Sequence, residues 1–173
     1  DGNWVFHPNE QTKSLGKAGD TNVGMGAAPV HAILQAAAQT ADPRLLAEGL
    51  KGLDWLRKWR IPRGSQVWEI PLHAPDILAS AHCCEAFLWG YRLTGDKSYL
   101  DDAIYWAKTG LPFVYFWQTP EKGLEPMRVC TIPIFGATFY TGSWFGRLVQ
   151  WCGLEYAKAL LDLAEFDQSF VWR

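Results

Sequence analysis

The side chains best suited to chemistry lie together in the segment 68–76, which reads Trp-Glu-Ile-Pro-Leu-His-Ala-Pro-Asp. Glu69 and Asp76 supply two carboxyl groups, His73 supplies an imidazole, and Trp68 supplies a flat surface on which a sugar ring can stack. The two prolines restrict the backbone, which reduces the entropy lost when these side chains are held in place. The segment is therefore the first candidate for an acid–base site.

Paired carboxyl groups are typical of glycoside hydrolysis, in which one protonates the leaving oxygen and the other activates water or stabilises the oxocarbenium ion. Glu69 and Asp76 are the candidates for that pair. His73 is a candidate base for a β-elimination, which removes the proton α to a uronate carboxylate. Each residue also has a structural interpretation: Asp76 as a helix cap, Glu69 in an ion pair and His73 bonded to a backbone carbonyl.

A second group of candidate residues lies in and around the segment 135–144. Trp144 offers another stacking surface, and Tyr140 offers a phenol that donates a hydrogen bond or, in an elimination, a proton. Arg128 and Arg147 flank the segment, and a guanidinium can hold a uronate carboxylate through two hydrogen bonds. The alternative is a hydrophobic loop that seals one end of a helical layer, with both arginines on the surface.

These candidates belong to a chain that repeats itself with a period of 54 residues, since the pattern of residues 40–48 recurs at 94–102. In each copy a helix ends at a threonine, and an aspartate two residues later caps the next helix. Such a period is typical of stacked helix pairs. Apolar spacing predicts helices over 29–39, 43–59, 75–93, 97–109 and 144–164.

The charge pattern of these helices predicts two layers. The first and third helices are poor in charged residues, which predicts burial on several sides, whereas the second and fourth carry a charged face. The glycine-rich segment 1–27 predicts a long N-terminal loop, and 110–143 predicts an irregular or β insertion with a short strand at 129–135. We expect the whole chain, 1–173, to form a single domain.

The composition argues against several classes of function. A net charge of −2 and an isoelectric point near 6.1 provide no basic surface for nucleic acid. The chain contains no apolar run of about 18 residues and no basic-then-apolar leader, so neither a membrane span nor a signal peptide is expected. The spacing of the four histidines and four cysteines predicts no metal site, and no nucleotide-binding glycine motif is present, so no cofactor is expected.

The Thr-Gly-Asp-x-x-Tyr-Leu turn at 94–100, with alternating inner and outer helices, resembles the α/α toroids of the six-hairpin glycosidase superfamily. Toroid polysaccharide lyases and terpenoid cyclases show a related pattern, and the resemblance covers about residues 29–167. It implies an all-α fold in which the helical hairpins form an incomplete ring. It also implies a ligand site at the end where loops meet the inner helices.

The resemblance further implies cleavage of glycosidic bonds in a polysaccharide or oligosaccharide, with the remainder of a larger toroid as a partner. One alternative is a lyase on a uronate-containing glycan, with His73 as base and Tyr140 as acid. A second is a non-catalytic helical-hairpin scaffold that binds a glycan or a protein. A third is a terpenoid-cyclase-like domain, since residues 1–4 are similar to a cyclase repeat motif, although the acidic cyclase motif Asp-x-Asp-Asp is absent from this sequence.

Overall fold

The structure is a computed structural model that describes residues 4–113 and 150–172. Within these ranges the chain forms α1 (Val23–Thr40), α2 (Pro43–Leu56), α3 (Ile77–Thr94), α4 (Lys97–Gly110), a short 3-10 helix (Leu111–Phe113) and α5 (Gln150–Leu163). The predicted all-α class is confirmed for the described residues. The predicted strand at 129–135 lies outside them.

The two turns that join α1 to α2 and α3 to α4 have the same hydrogen bonds. The threonine that ends each first helix donates its hydroxyl to the carbonyl four residues earlier, and it accepts the N–H of the aspartate two residues later (Thr40 and Asp42, Thr94 and Asp96). Each aspartate then caps the second helix by accepting the N–H two positions further on. The prediction that two hairpins share one template is confirmed.

The helices pack in two layers. α3 lies between α1 and α5, α2 packs on α1 and α3, and α4 packs on α3 and α5. We call the layer of α1, α3 and α5 the inner layer and the layer of α2 and α4 the outer layer. Large side chains from both layers fill the space between them and are fully buried, among them Leu34, Leu53, Phe87, Trp106 and Tyr156.

The first helix begins earlier than its apolar pattern predicts, at Val23 rather than at residue 29. Gly24 and Gly26 were expected to exclude a regular element, but both lie inside α1. The helix passes so close to other parts of the chain there that a side chain would not fit. A Cβ atom at Gly24 would lie 2.4 Å from the backbone nitrogen of Ser65, and one at Gly26 would lie 2.7 Å from the Trp55 ring. The glycines therefore bring the start of α1 against the end of α2 and the α2–α3 segment.

Arg57, at the end of α2, connects the two outer helices. Its Nε donates to Asp102 Oδ2 at 2.7 Å, and its guanidinium lies 4.5 Å from the centre of the Tyr99 ring. We expect Arg57→Ala to lower the free energy of unfolding by about 1–2 kcal/mol in urea denaturation, because a partly buried charge-assisted bond and a cation–π contact are lost. Arg44→Ala is the control, since Arg44 is exposed and its one bonding partner among the described residues is Asp42, the cap of its own helix. Equal decreases in the free energy of unfolding of Arg57→Ala and Arg44→Ala would contradict the expectation.

Candidate functional site

The segment between α2 and α3 lies across the N-terminal ends of α1 and α3. The Gly24 N–H donates to the Arg63 carbonyl at 2.8 Å, and the Asp76 N–H donates to the Pro62 carbonyl at 2.9 Å. Arg63 also forms an isolated antiparallel bridge with Pro75. The candidate segment 68–76 is therefore fixed at the end of the inner layer where the loops meet the inner helices.

Asp76 caps α3 and is only 1% exposed. Its Oδ1 accepts the Ala79 N–H at 2.7 Å, and its Oδ2 accepts the Ser65 N–H at 3.1 Å. Burial raises the pKa of Asp76 to about 7, although hydrogen bonds from backbone N–H groups act in the opposite direction. Because both carboxylate oxygens are engaged and the side chain is buried, the structure supports the helix-cap interpretation of Asp76.

Trp68 and Glu69 lie on a single helical turn, which the hydrogen bond from the Ile70 N–H to the Gln66 carbonyl closes at 3.0 Å. The Trp68 side chain is 48% exposed. Glu69 is half-buried, and its Oε1 accepts a hydrogen bond from Gln66 Nε2 at 3.1 Å. The turn thus combines an accessible aromatic ring with a carboxylate that has one fixed partner.

His73 connects the candidate segment to the chain that precedes α1. Its Nδ1 lies 3.1 Å from Asn22 Nδ2, and its Nε2 lies 3.5 Å from Asp20 Oδ2. The Asn22 Oδ1 accepts the Val23 N–H, which turns the amide Nδ2–H towards Nδ1 of the imidazole. Nε2 is the ring nitrogen that faces Asp20. Both ring nitrogens have partners, whereas the base of an elimination must have one nitrogen free.

The other predicted substrate-binding residues, Tyr140, Trp144, Arg128 and Arg147, lie outside the described residues. Their contribution to the site stays a prediction.

A second polar cluster lies where the three inner helices meet. Glu85 on α3 is 4% exposed and pairs with Lys158 on α5, while its Oε2 lies 3.4 Å from His31 Nδ1 on α1. Lys158 also donates to Asp162 Oδ2 at 2.9 Å. Burial raises the pKa of Glu85, and the bonds from Lys158 oppose that change. His31 and Glu85 occupy equivalent positions of the 54-residue repeat, but nothing in the sequence indicated that Lys158 joins them.

Two histidines of the inner layer are expected to make the protein less stable in acid. Burial lowers the pKa values of His31 and His82 from 6.5 to about 4. Between those values the unfolded chain binds protons that the folded chain does not, so stability falls as the pH decreases from about 6.5 to 4. We expect His31→Asn and His82→Asn each to reduce this loss, measured as the difference in Tm between pH 7 and pH 4.5.

The control for this pH dependence is His7→Asn, because His7 is exposed. The raised pKa of Asp76 has the opposite effect, because it makes the protein more stable as the pH falls over a similar range. Asp76 is present in all of these variants, so its effect cancels from the comparison. A pH dependence that is the same in all three variants and in the wild type would contradict the expectation.

A cavity of about 430 Å³ lies along the C-terminal segment, between Ala164 and Trp172, and shares no residue with the candidate segment. Its carboxylate, Asp167, accepts hydrogen bonds from Trp172 Nε1 at 2.7 Å and from the Ser169 N–H at 3.1 Å. That carboxylate therefore holds the segment in place.

The described part of the chain shows neither a candidate metal centre nor a membrane-spanning helix. Over 4–113 and 150–172, no three His, Cys, Asp or Glu side chains are grouped so as to hold a metal ion. None of the described helices has the length and apolar character needed to cross a membrane. Comparison of the chain with known protein families, characterised proteins and solved structures finds no match.

Proposed function

We propose that the segment 68–76 is a carbohydrate site at which glycosidic bonds are hydrolysed, with Glu69 as a catalytic carboxyl group and Trp68 as the stacking surface. The observation that carries this proposal is the pairing of the two side chains on one fixed turn. Trp68 is half-exposed, and the adjacent Glu69 is half-buried with its Oε1 bonded to a buried amide. Aromatic rings suit the apolar faces of sugars, and carboxyl groups cleave the bonds between them.

Hydrolysis adds one water molecule across the glycosidic bond. The water oxygen bonds to the anomeric carbon, the bond from that carbon to the leaving oxygen breaks, and a proton passes from the water to the leaving oxygen. A carboxyl side chain accelerates the reaction by taking or giving a proton in that sequence. In this proposal Glu69 takes that role, and Asp76 is omitted because its carboxylate caps α3.

The wider architecture proposed with this site is part of an α/α toroid. The layer of α1, α3 and α5 and the two helices that pack on it support this arrangement, because toroids alternate two such layers. In this arrangement Tyr140, Trp144, Arg128 and Arg147 remain the candidates for further contacts with the glycan. Elimination with His73 as base has weaker support, since both nitrogens of His73 have partners.

Trp68→Ala tests the carbohydrate site directly. We expect the variant to bind a recognised glycan about tenfold more weakly, because a stacked aromatic contributes about 1–1.5 kcal/mol. Electrophoresis of the folded chain through gels that contain neutral or uronate-containing polysaccharides measures the change in affinity. Tyr105→Ala is the matched control, since Tyr105 is an exposed aromatic on α4. Equal retardation of Trp68→Ala and wild type in every retarding gel would contradict the proposal.

A further inference from the structure

We propose that the side chain of Arg63 binds a carboxylate group of the glycan, so that the proposed site takes a uronate-containing polysaccharide rather than a neutral one. The inference rests on the proposed function and adds the substrate class to it. It also adds a binding residue from the part of the chain that joins α2 to the candidate segment 68–76.

The chain between the end of α2 and the candidate segment is strongly basic. Between residues 54 and 69 the sequence contains no acidic residue and four basic residues, Arg57, Lys58, Arg60 and Arg63. Arg57 donates to Asp102, and the Arg60 guanidinium lies 5.4 Å from the centre of the Tyr105 ring. Among the described residues, Arg63 is the arginine of the three that has neither an acidic nor an aromatic partner.

The surroundings of the Arg63 side chain leave its charge uncompensated. The side chain is partly buried, and its Nε is enclosed without a hydrogen-bond acceptor among the described residues. A buried charged donor without an acceptor is unfavourable. The two terminal nitrogens of the guanidinium are not enclosed in this way, so an anion can reach them. The guanidinium is therefore half of an ion pair, and a bound ligand can supply the other half.

The backbone of Arg63 is fixed at the end of the inner layer where the candidate segment lies. Its carbonyl accepts the Gly24 N–H at 2.8 Å, and it forms the antiparallel bridge with Pro75. Trp68 follows Arg63 by five residues, so their Cα atoms are at most about 18 Å apart. A short oligosaccharide stacked on Trp68 can therefore extend to Arg63.

The shape of the guanidinium favours a carboxylate as the ligand group. Its planar N–H donors match the two oxygens of a carboxylate, and charge-assisted hydrogen bonds of this kind are stronger than neutral ones. A neutral sugar offers hydroxyl groups alone and does not supply the missing negative charge. A sulfate ester supplies the charge on tetrahedral rather than planar oxygens, so the test includes both anions.

The test is electrophoresis through gels that contain polygalacturonate, alginate, hyaluronate, dextran sulfate or neutral dextran, compared with gels without polysaccharide. We expect Arg63→Met to bind the polyuronate that retards the wild type about tenfold more weakly, because a charge-assisted contact is lost. Binding to a neutral polysaccharide should be unchanged. Arg63→Lys keeps the charge but not the planar donors, so its loss should be intermediate. Arg60→Met is the matched control, since it removes the same charge three residues earlier.

Thermal unfolding provides a second measurement. Arg63→Met should have a Tm no lower than that of the wild type, because the guanidinium has no partner within the described fold. A marked decrease in Tm would show that the guanidinium stabilises the fold itself and would overturn the inference. Equal weakening of polyuronate binding in Arg60→Met would also overturn it, because general charge attraction would then explain the binding. Equal dependence of dextran sulfate binding on Arg63 would overturn the choice of a carboxylate.

The same gels separate this inference from the proposed function. Binding of a neutral polysaccharide that Trp68→Ala weakens and Arg63→Met leaves unchanged, without binding of any polyuronate, would overturn the inference and support the proposed site. Polyuronate binding that Arg63→Met weakens and Trp68→Ala leaves unchanged would support the carboxylate contact and contradict the stacking site. If no polysaccharide retards the wild type, both the proposed function and this inference fail.

Discussion

Glu69→Gln should reduce glycan turnover by about 10³-fold while leaving glycan affinity close to that of the wild type. The substitution keeps the shape of the side chain, and its Oε1 can still accept the hydrogen bond from Gln66. It removes the ability to transfer a proton, which is the property that the proposed mechanism uses. Steady-state kinetics on a cleaved polysaccharide and a separate binding measurement check the two halves of this expectation.

The matched control for Glu69→Gln is Glu48→Gln, which changes an exposed carboxylate on the outer helix α2. It should leave both turnover and affinity unchanged. Retained turnover in Glu69→Gln would show that this carboxylate is not catalytic. Equal losses of turnover and affinity would indicate that Glu69 holds the loop or binds the glycan without taking part in the reaction.

Asp76→Ala should lower the free energy of unfolding by about 3 kcal/mol, which is large for a single substitution. The variant loses the cap of α3, and it also leaves the Ser65 N–H without its partner in a partly buried position. Asp76→Asn should lose less, because its amide oxygen can still accept the Ala79 N–H. Denaturation in urea at constant pH measures the three proteins.

Asp96→Ala is the control for Asp76→Ala, because Asp96 caps α4 in the same way from an exposed position. Its removal should have a clearly smaller effect, since water can replace the lost acceptor. Similar losses of unfolding free energy in Asp76→Ala and Asp96→Ala would contradict this expectation. They would show that neither the burial of Asp76 nor its bond from the Ser65 N–H adds to its stabilising effect.

The sequence predicted the hairpins well because their signals are local. An aspartate that caps a helix two residues after a threonine needs no distant partner, and both turns form as predicted. The start of α1 was missed because Gly24 and Gly26 were interpreted as breakers, whereas they permit contact with residues far along the chain. The repeat contained the missing signal: Asn22 and Asp76 are 54 residues apart, and each caps an inner helix.

The candidate site was predicted only in part because its geometry depends on long-range contacts. The density of reactive groups in 68–76 made this loop the candidate site, but spacing alone does not distinguish a buried cap from a catalytic carboxyl group. That distinction for Asp76 depends on the Ser65 N–H, which the fold brings to it. Gln66 was not identified because an isolated glutamine has no sequence signature, and its significance comes from its burial beside Glu69.

The most direct test of the central claim is incubation of the purified chain with neutral and uronate-containing polysaccharides, with Glu69→Gln in parallel. Both new reducing ends and the ultraviolet absorbance of unsaturated uronates would be measured. We predict reducing ends without absorbance, produced by the wild type and not by Glu69→Gln. Reducing ends together with absorbance would contradict hydrolysis and indicate elimination. The absence of both on every polysaccharide would contradict an enzymatic role and favour a binding scaffold.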